Sequence, residues 1–204
     1  MGRSLRIGSD VDGVLFEIVA PMVEFLDSIG ISVPSYEETY DYDLAKVWGC
    51  SRTEMGRRIN LFYKSEYFPK LRPMPGVQQA LGILVPAHNA YPITARPFDI
   101  EHLTKAAFDK HLPGKFDYSY HLGHFDGSGP KVTKVDIARS LPLDGRPLDF
   151  VIEDSLFEAE AIARANIQVV LITHPWNCDR AISTGITRVN GWMPDIVDYV
   201  KKYE

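Results

Sequence analysis

Two rhythms of apolar residues alternate along the chain. Short runs of two to seven apolar or β-branched residues read as strands, and stretches with apolar residues every three or four positions read as helices. Leu5 to Gly8 predicts a first strand. Ile18, Met22, Phe25, Leu26 and Ile29 then fall on one helix face, with Gly30 as a stop. Val77 to Val85 predicts a helix, His88 to Thr94 a strand, Phe98 to His111 a helix and Phe116 to His121 a strand. A helix over about Lys131 to Leu141, a strand over Leu148 to Ile152 and a helix through Ala165 follow. Ile167 to Thr173 is almost unbroken in its apolar character, the pattern of a strand covered on both faces. The expected fold class is α/β: a Rossmann-like parallel sheet of about five strands with helices on both faces.

Residues 34 to 75 break this rhythm. They carry Tyr36, Tyr40, Tyr42, Trp48, Phe62, Tyr63, Tyr67 and Phe68 among many charges, and Pro73-Met74-Pro75-Gly76 closes the stretch with turn residues. Short helices fit better than sheet. The expected organisation is a core domain built from 1–16 and 76–204, with a small helical cap over 17–75 inserted after the Asp10–Leu15 motif. Most of its aromatics are expected to form the insertion's own small core. Trp48, Tyr42 or Phe62 could instead stack on a flat ligand.

At 204 residues the chain suits one domain, or a core with an insertion. A net charge of -5 and a pI near 5.7 argue against a nucleic acid polymer or an anionic membrane as partner, so any phosphate site must be local. Cys50 and Cys178 form no CxxC pair, which points to a reducing compartment. No window reaches the roughly 18 apolar residues of a membrane span. The expectation is a cytoplasmic protein, with a homodimer left open.

Against this background one segment stands out: Asp10-Val11-Asp12-Gly13-Val14-Leu15, at the end of the first strand. Open α/β sheets bind ligands at that edge. Two neighbouring carboxylates call for a bound cation, a shared proton or both, and an all-oxygen site suits Mg²⁺. Further polar stations fall at later strand ends: Thr94, a lysine near a helix start, then Glu153 and Asp154. Crossover connections bring such ends to one edge. There a carboxylate can attack phosphorus, a second carboxyl can protonate the leaving oxygen, and Mg²⁺, Lys and Thr can neutralise the phosphoryl oxygens.

These motifs resemble the haloacid dehalogenase superfamily of phosphohydrolases: Asp-x-Asp-Gly-Val-Leu for its first motif, Ile93-Thr94 for the second, a lysine for the third and Glu153-Asp154 for the fourth. Ile93-Thr94-Ala95-Arg96-Pro97, Ile152-Glu153-Asp154-Ser155 and Pro175-Trp176-Asn177 look like the 5'(3')-deoxyribonucleotidase branch. The resemblance implies Asp10 as nucleophile and Asp12 as general acid/base. It implies Mg²⁺ held by Asp10, the Asp12 backbone carbonyl and Asp154, with Glu153 in or beside that shell. Thr94 and the Ala95 N–H would contact the phosphoryl group. For the lysine, Thr133-Lys134-Val135-Asp136 reads as a capping box and favours Lys134, whereas a helix beginning after Gly129-Pro130 favours Lys131.

Arg96 could clamp a second anionic group or be an exposed residue at a helix start. His121, His124 and Asp126 read as loop rather than metal ligands, and Trp176 as packing beside the site. The implied activity is Mg²⁺-dependent hydrolysis of a small phosphorylated substrate through an aspartyl-phosphate, with a 5'-(deoxy)nucleotide as first choice. A phosphosugar phosphatase or phosphomutase is the alternative within the superfamily. A receiver-like phospho-aspartate domain or a non-catalytic binding protein is the alternative outside it.

Overall fold

The computed structural model describes residues 3–116, 118–123, 132–142 and 144–203. Six parallel strands run in the order β3-β2-β1-β4-β5-β6, with β1 at Arg6–Ser9, β2 at Asn89–Thr94 and β3 at Tyr120–His121. The other half holds β4 at Phe150–Glu153, β5 at Gln168–Ile172 and β6 at Ile186–Val189. The order reverses between β1 and β4, and a crevice outside the carboxyl ends of such a strand pair is the binding position in doubly wound sheets.

Alternation along the central strands explains why both faces are covered. Phe150 and Ile152 of β4 and Val170 and Ile172 of β5 belong to one buried cluster, while Val151, Val169 and Leu171 belong to a second. The second cluster is closed by Ile137 and Ala138 of α6 (Lys134–Arg139) and by Ala159 and Ile162 of α7 (Leu156–Arg164). The first is closed by Met22 and Leu26 of α1 (Val19–Ser28), Leu81 and Leu84 of α4 (Val77–Leu84), Phe108 of α5 (Glu101–His111) and Val197 and Val200 of α8 (Val197–Tyr203). Gly30, at φ 77°, takes the left-handed position just past α1.

Between α1 and α4 lie α2 (Leu44–Val47), α3 (Arg52–Tyr63) and a 3₁₀ turn at Phe68–Lys70. Asp43 and Ser51 cap the two helices by accepting from the Ala45 and Glu54 N–H groups. The aromatics of this stretch do not close on themselves. Trp48, Phe62, Tyr63 and Phe68 are buried in the same cluster as Phe16, Phe25 and the sheet.

Three differences from the sequence expectation have local causes. A sixth strand, β6, escapes notice because Ile186-Thr187-Arg188-Val189 is an edge strand with only its ends buried, so no apolar run marks it. Strand β3 is confined to Tyr120–His121 within the predicted 116–121. Helix α6 starts at Lys134, not near Lys131, because Thr133 and Asp136 form the reciprocal capping box. Lys131, His124 and Asp126 lie outside the described residues. Among the described residues no helix is long and apolar enough to cross a membrane.

Candidate active site

Register places the acidic residues side by side. Ser9 of β1 pairs with Ile152 of β4, and the Asp10 N–H donates to the Ile152 carbonyl at 2.9 Å, so Asp10 leaves β1 next to Glu153 and Asp154. Carboxylate oxygens of Asp10, Glu153 and Asp154 lie within 4.8 Å of one another, and all three residues are buried. Lys134 enters from the first turn of α6, itself only 5% exposed. Its Nζ is 3.0 Å from Asp10 and bonded to Glu153.

One ammonium among three buried carboxylates leaves an excess of negative charge. Burial pushes Asp10 up to about 7, reinforced by Glu153 and Asp12 and opposed by Lys134. Burial and the charges of Asp10 and Glu153 hold Asp154 well above the usual carboxylate range. Burial alone would depress Lys134, but Asp10 and Glu153 outweigh it and hold the ammonium charged. A divalent cation is the natural complement.

The donor set fits such an ion. Glu153 is already engaged: Oε1 by Lys134 and Oε2 by the N–H groups of Asp154 and Ser155, both at 3.2 Å. Asp154 is not, since its buried Oδ1 has no hydrogen-bond partner among the described residues. The open oxygen therefore belongs to Asp154, and Glu153 orients Lys134 and the turn behind it.

Gly13 makes room for the Asp154 carboxylate. It sits at φ +76°, and a Cβ placed there would fall 2.3 Å from Asp154 Oδ2. Gly13→Ala is thus expected to displace the Asp154 carboxylate and weaken binding of a divalent cation at this cluster about tenfold or more. A metal titration with unchanged midpoint would show that the pocket tolerates the methyl group.

Segment 174–177 locks this loop from behind. The Trp176 indole N–H and the Asn177 amide both donate to the Asp154 carbonyl, at 3.1 and 2.8 Å. His174 stacks on Trp176 with ring centroids 4.3 Å apart, and its Nε2 lies 2.8 Å from the Gly13 carbonyl. A carbonyl only accepts, so the proton sits on Nε2, and Nδ1 accepts from the Tyr36 hydroxyl at 2.8 Å. Burial pulls the imidazole down to about 4. Below the ordinary value near 6.5 the unfolded chain takes up a proton that the folded one refuses until about 4, so stability falls as pH drops through that window, by roughly 3 kcal/mol. His174→Phe keeps an aromatic stack and removes that slope. Urea unfolding at pH 7 and 4.5 measures it, and an unchanged slope in the variant would assign the acid sensitivity elsewhere.

The remaining expected site residues divide. Thr94 is buried at the end of β2, beside β1, with its Oγ1 accepting from the Arg96 N–H at 3.1 Å, which shapes the turn; Ala95 is partly exposed next to it. Arg96 is neither exposed nor a clamp for a second anion: it is fully buried, its guanidinium bonded to both oxygens of Asp12. Trp48 is not brought to the site. It lies 8% exposed in the apolar cluster, because α2 packs against α3. Phe62 is buried likewise, and of the three aromatics proposed to stack on a ligand only Tyr42 faces the opening.

That opening is a cavity of about 310 Å³ over Asp12 and Asp154. Ile18, Val19, Met22, Leu44, Met55 and Ile59 supply an aliphatic wall, with Tyr42 and Trp176 at its edges. Apart from Asp12 and Asp154, its charged members are paired, Asp43 with Arg52 at 3.0 Å and Asp41 with Lys46 at 3.2 Å. Local sequence does not mark His174, Asn177 or the Arg96–Asp12 contact as features of the site. The only signal for the first two was their place in and beside Pro175-Trp176-Asn177.

No family model matches the chain. A curated protein of Halalkalibacterium halodurans bearing the name "Putative nucleotidase" is 26% identical over 192 residues, covering 93% of this chain and 90% of the relative. Among solved structures, a haloacid dehalogenase-like family hydrolase from Streptococcus pneumoniae superposes with a TM-score of 0.64 at 14% identity, over 98% of this chain and 99% of its own. A HAD-superfamily hydrolase of subfamily IA from Geobacter sulfurreducens gives 0.62 at 17% identity, over 97% and 96%. With the parallel sheet, its reversal between β1 and β4 and these likenesses together, the chain has the haloacid dehalogenase-like fold.

Proposed function

We propose that this protein is a Mg²⁺-dependent phosphomonoester hydrolase working through an aspartyl-phosphate, with a 5'-nucleotide, a deoxynucleotide for preference, as substrate. The observation that carries the reading is the Asp10–Lys134–Glu153–Asp154 cluster, buried at the β1/β4 edge beside an apolar cavity. A receiver-like signalling domain has no use for a leaving-group pocket of this kind.

Asp10 attacks phosphorus as the bond to the leaving oxygen breaks, and Asp12 gives that oxygen a proton. Water then attacks the phosphorus of the aspartyl-phosphate, Asp12 takes its proton, and inorganic phosphate departs with Asp10 restored. Lys134, Thr94 and the Ala95 N–H balance the phosphoryl oxygens. Asp10, Asp154 and the Asp12 backbone carbonyl would hold the cation, with Glu153 behind them. When bound, Mg²⁺ neutralises charge on the transferring group.

Residues 17–75 act as a cap that shapes the leaving-group pocket. The aliphatic wall and the absence of an unpaired cation among its described lining residues suit an uncharged, flat leaving group such as a nucleoside better than a second phosphate or a carboxylate. The name of the Halalkalibacterium halodurans relative points the same way.

A phosphate-release screen over nucleoside monophosphates, sugar phosphates and small carboxylated phosphates tests the assignment. Nucleotides are expected to lead, and a clear preference for a sugar phosphate would move the protein to that class. Met55→Trp should then narrow the cavity and cut kcat/KM for nucleotides by about tenfold while sparing a small aryl phosphate. Equal losses on both would mean that Met55 does not meet the leaving group.

A further inference from the structure

Arg96 is among the largest side chains that are wholly buried. Such a charge is costly inside a protein unless its donors are engaged, and here they are. Nε donates to Asp12 Oδ1 and Oδ2 at 3.2 and 3.0 Å, Nη2 to Oδ1 at 2.6 Å, and Nη1 to the Thr104 hydroxyl at 3.0 Å. Thr104 donates onward to the Ile100 carbonyl at 3.3 Å, which anchors the guanidinium to the start of α5. Above it, 4.8 Å from Cζ, lies the ring of Phe68 from the inserted segment.

Arg96 is not among the residues lining the cavity, whereas Asp12 is, with its side chain 23% exposed. Of the guanidinium's hydrogen-bond partners, Asp12 is the one that lines the cavity. We propose that Arg96 is a positioning residue for Asp12: its fork fixes the plane of the carboxyl group against the cavity wall. Phe68 makes that placement dependent on the cap. This rests on Asp12 being the acid/base group of the reaction above.

The contacts also distinguish the two oxygens. Two N–H donors make three contacts: Oδ1 takes two of them, including the shortest at 2.6 Å, and Oδ2 only the Nε contact at 3.0 Å, which assigns the transferred proton to Oδ2. As the phosphorus–oxygen bond breaks, its electron pair stays on the leaving oxygen, which takes the proton from Oδ2 and leaves Asp12 a carboxylate facing Arg96. A fork holds both oxygens in plane, which a single ammonium cannot do.

The test compares kcat on an alkyl phosphate and on an aryl phosphate with a good leaving group, for the parent, Arg96→Met, Arg96→Lys, Asp12→Asn and Asp12→Asn/Arg96→Met. Melting temperatures verify folding. Arg96→Met is expected to lose about tenfold more on the alkyl than on the aryl ester, since only the former needs the proton at departure. Arg96→Lys should show a smaller disparity of the same sign. In the Asp12→Asn background, Arg96→Met should cost no more than about twofold, because its effect runs through a group already removed.

Equal losses on both esters, or losses that multiply in the double variant, overturn the proposal. If Arg96→Met does not fold, the disparity in Arg96→Lys decides, and its absence overturns the proposal too. A parent that turns over neither ester overturns the phosphohydrolase reading itself, an outcome distinct from an active parent with indifferent Arg96 variants.

Discussion

Asp10→Asn is expected to abolish turnover while leaving the fold intact. An amide cannot attack phosphorus, and removal of a nucleophile that works as part of a set typically costs several orders of magnitude in kcat. The amide is nearly isosteric with the carboxylate, and Lys134, which loses its charged partner at Asp10, keeps Glu153. Stability should move the other way. Burial raises Asp10 to about 7, so the folded state binds more protons than the unfolded one between about 4 and 7. The resulting loss of stability as pH rises is complete above that window, and the uncharged amide removes it. At pH 8 without metal the variant should melt no lower than the parent. Sustained turnover above about a tenth of the parent rate would exclude Asp10 as nucleophile, since losses in such sets are far larger.

Lys134→Met carries the second large effect, and here activity and stability fall together. The ammonium is the buried partner of both Asp10 and Glu153. Removing one member of a buried ion pair typically costs about 3–5 kcal/mol, because the charges left behind are uncompensated. For a chain of this size that corresponds to a fall in Tm of roughly 10 °C. Added Mg²⁺ should recover part of it, since a cation on the same carboxylates replaces some of the lost charge, whereas kcat stays low because the phosphoryl oxygens have lost their donor. Lys131→Met is the control, with a melting temperature near the parent and most activity kept. A severe loss confined to Lys131 would transfer the role to that residue and leave Lys134 as an ion-pair partner only.

These expectations differ in origin. The periodicities of β1, β2, β4 and β5, the α6 capping box and the grouping of Asp10 and Asp12 at a strand end act over a few neighbouring residues, and all could be read from the chain. Strand β6 could not, because an edge strand buries too little to leave an apolar run. Which residues meet was decided by strand order. The reversal between β1 and β4 sets Asp10 beside Glu153 and Asp154, and it carries Lys134 in with α6. Arg96 reaches Asp12 across 84 positions and His174 reaches Gly13 across 161, distances over which no local rule operates. Composition marked the aromatics between 34 and 75 but not their direction. Trp48 and Phe62 turn inward because the insertion shares its core with the sheet, which leaves Met55, Ile59 and Tyr42 to face the cavity. Chemistry that depends on residue type and short spacing was thus written in the sequence. Chemistry that depends on which buried charge finds which partner was settled only by the packing of distant segments, because a charge can enter the interior only where a partner already waits.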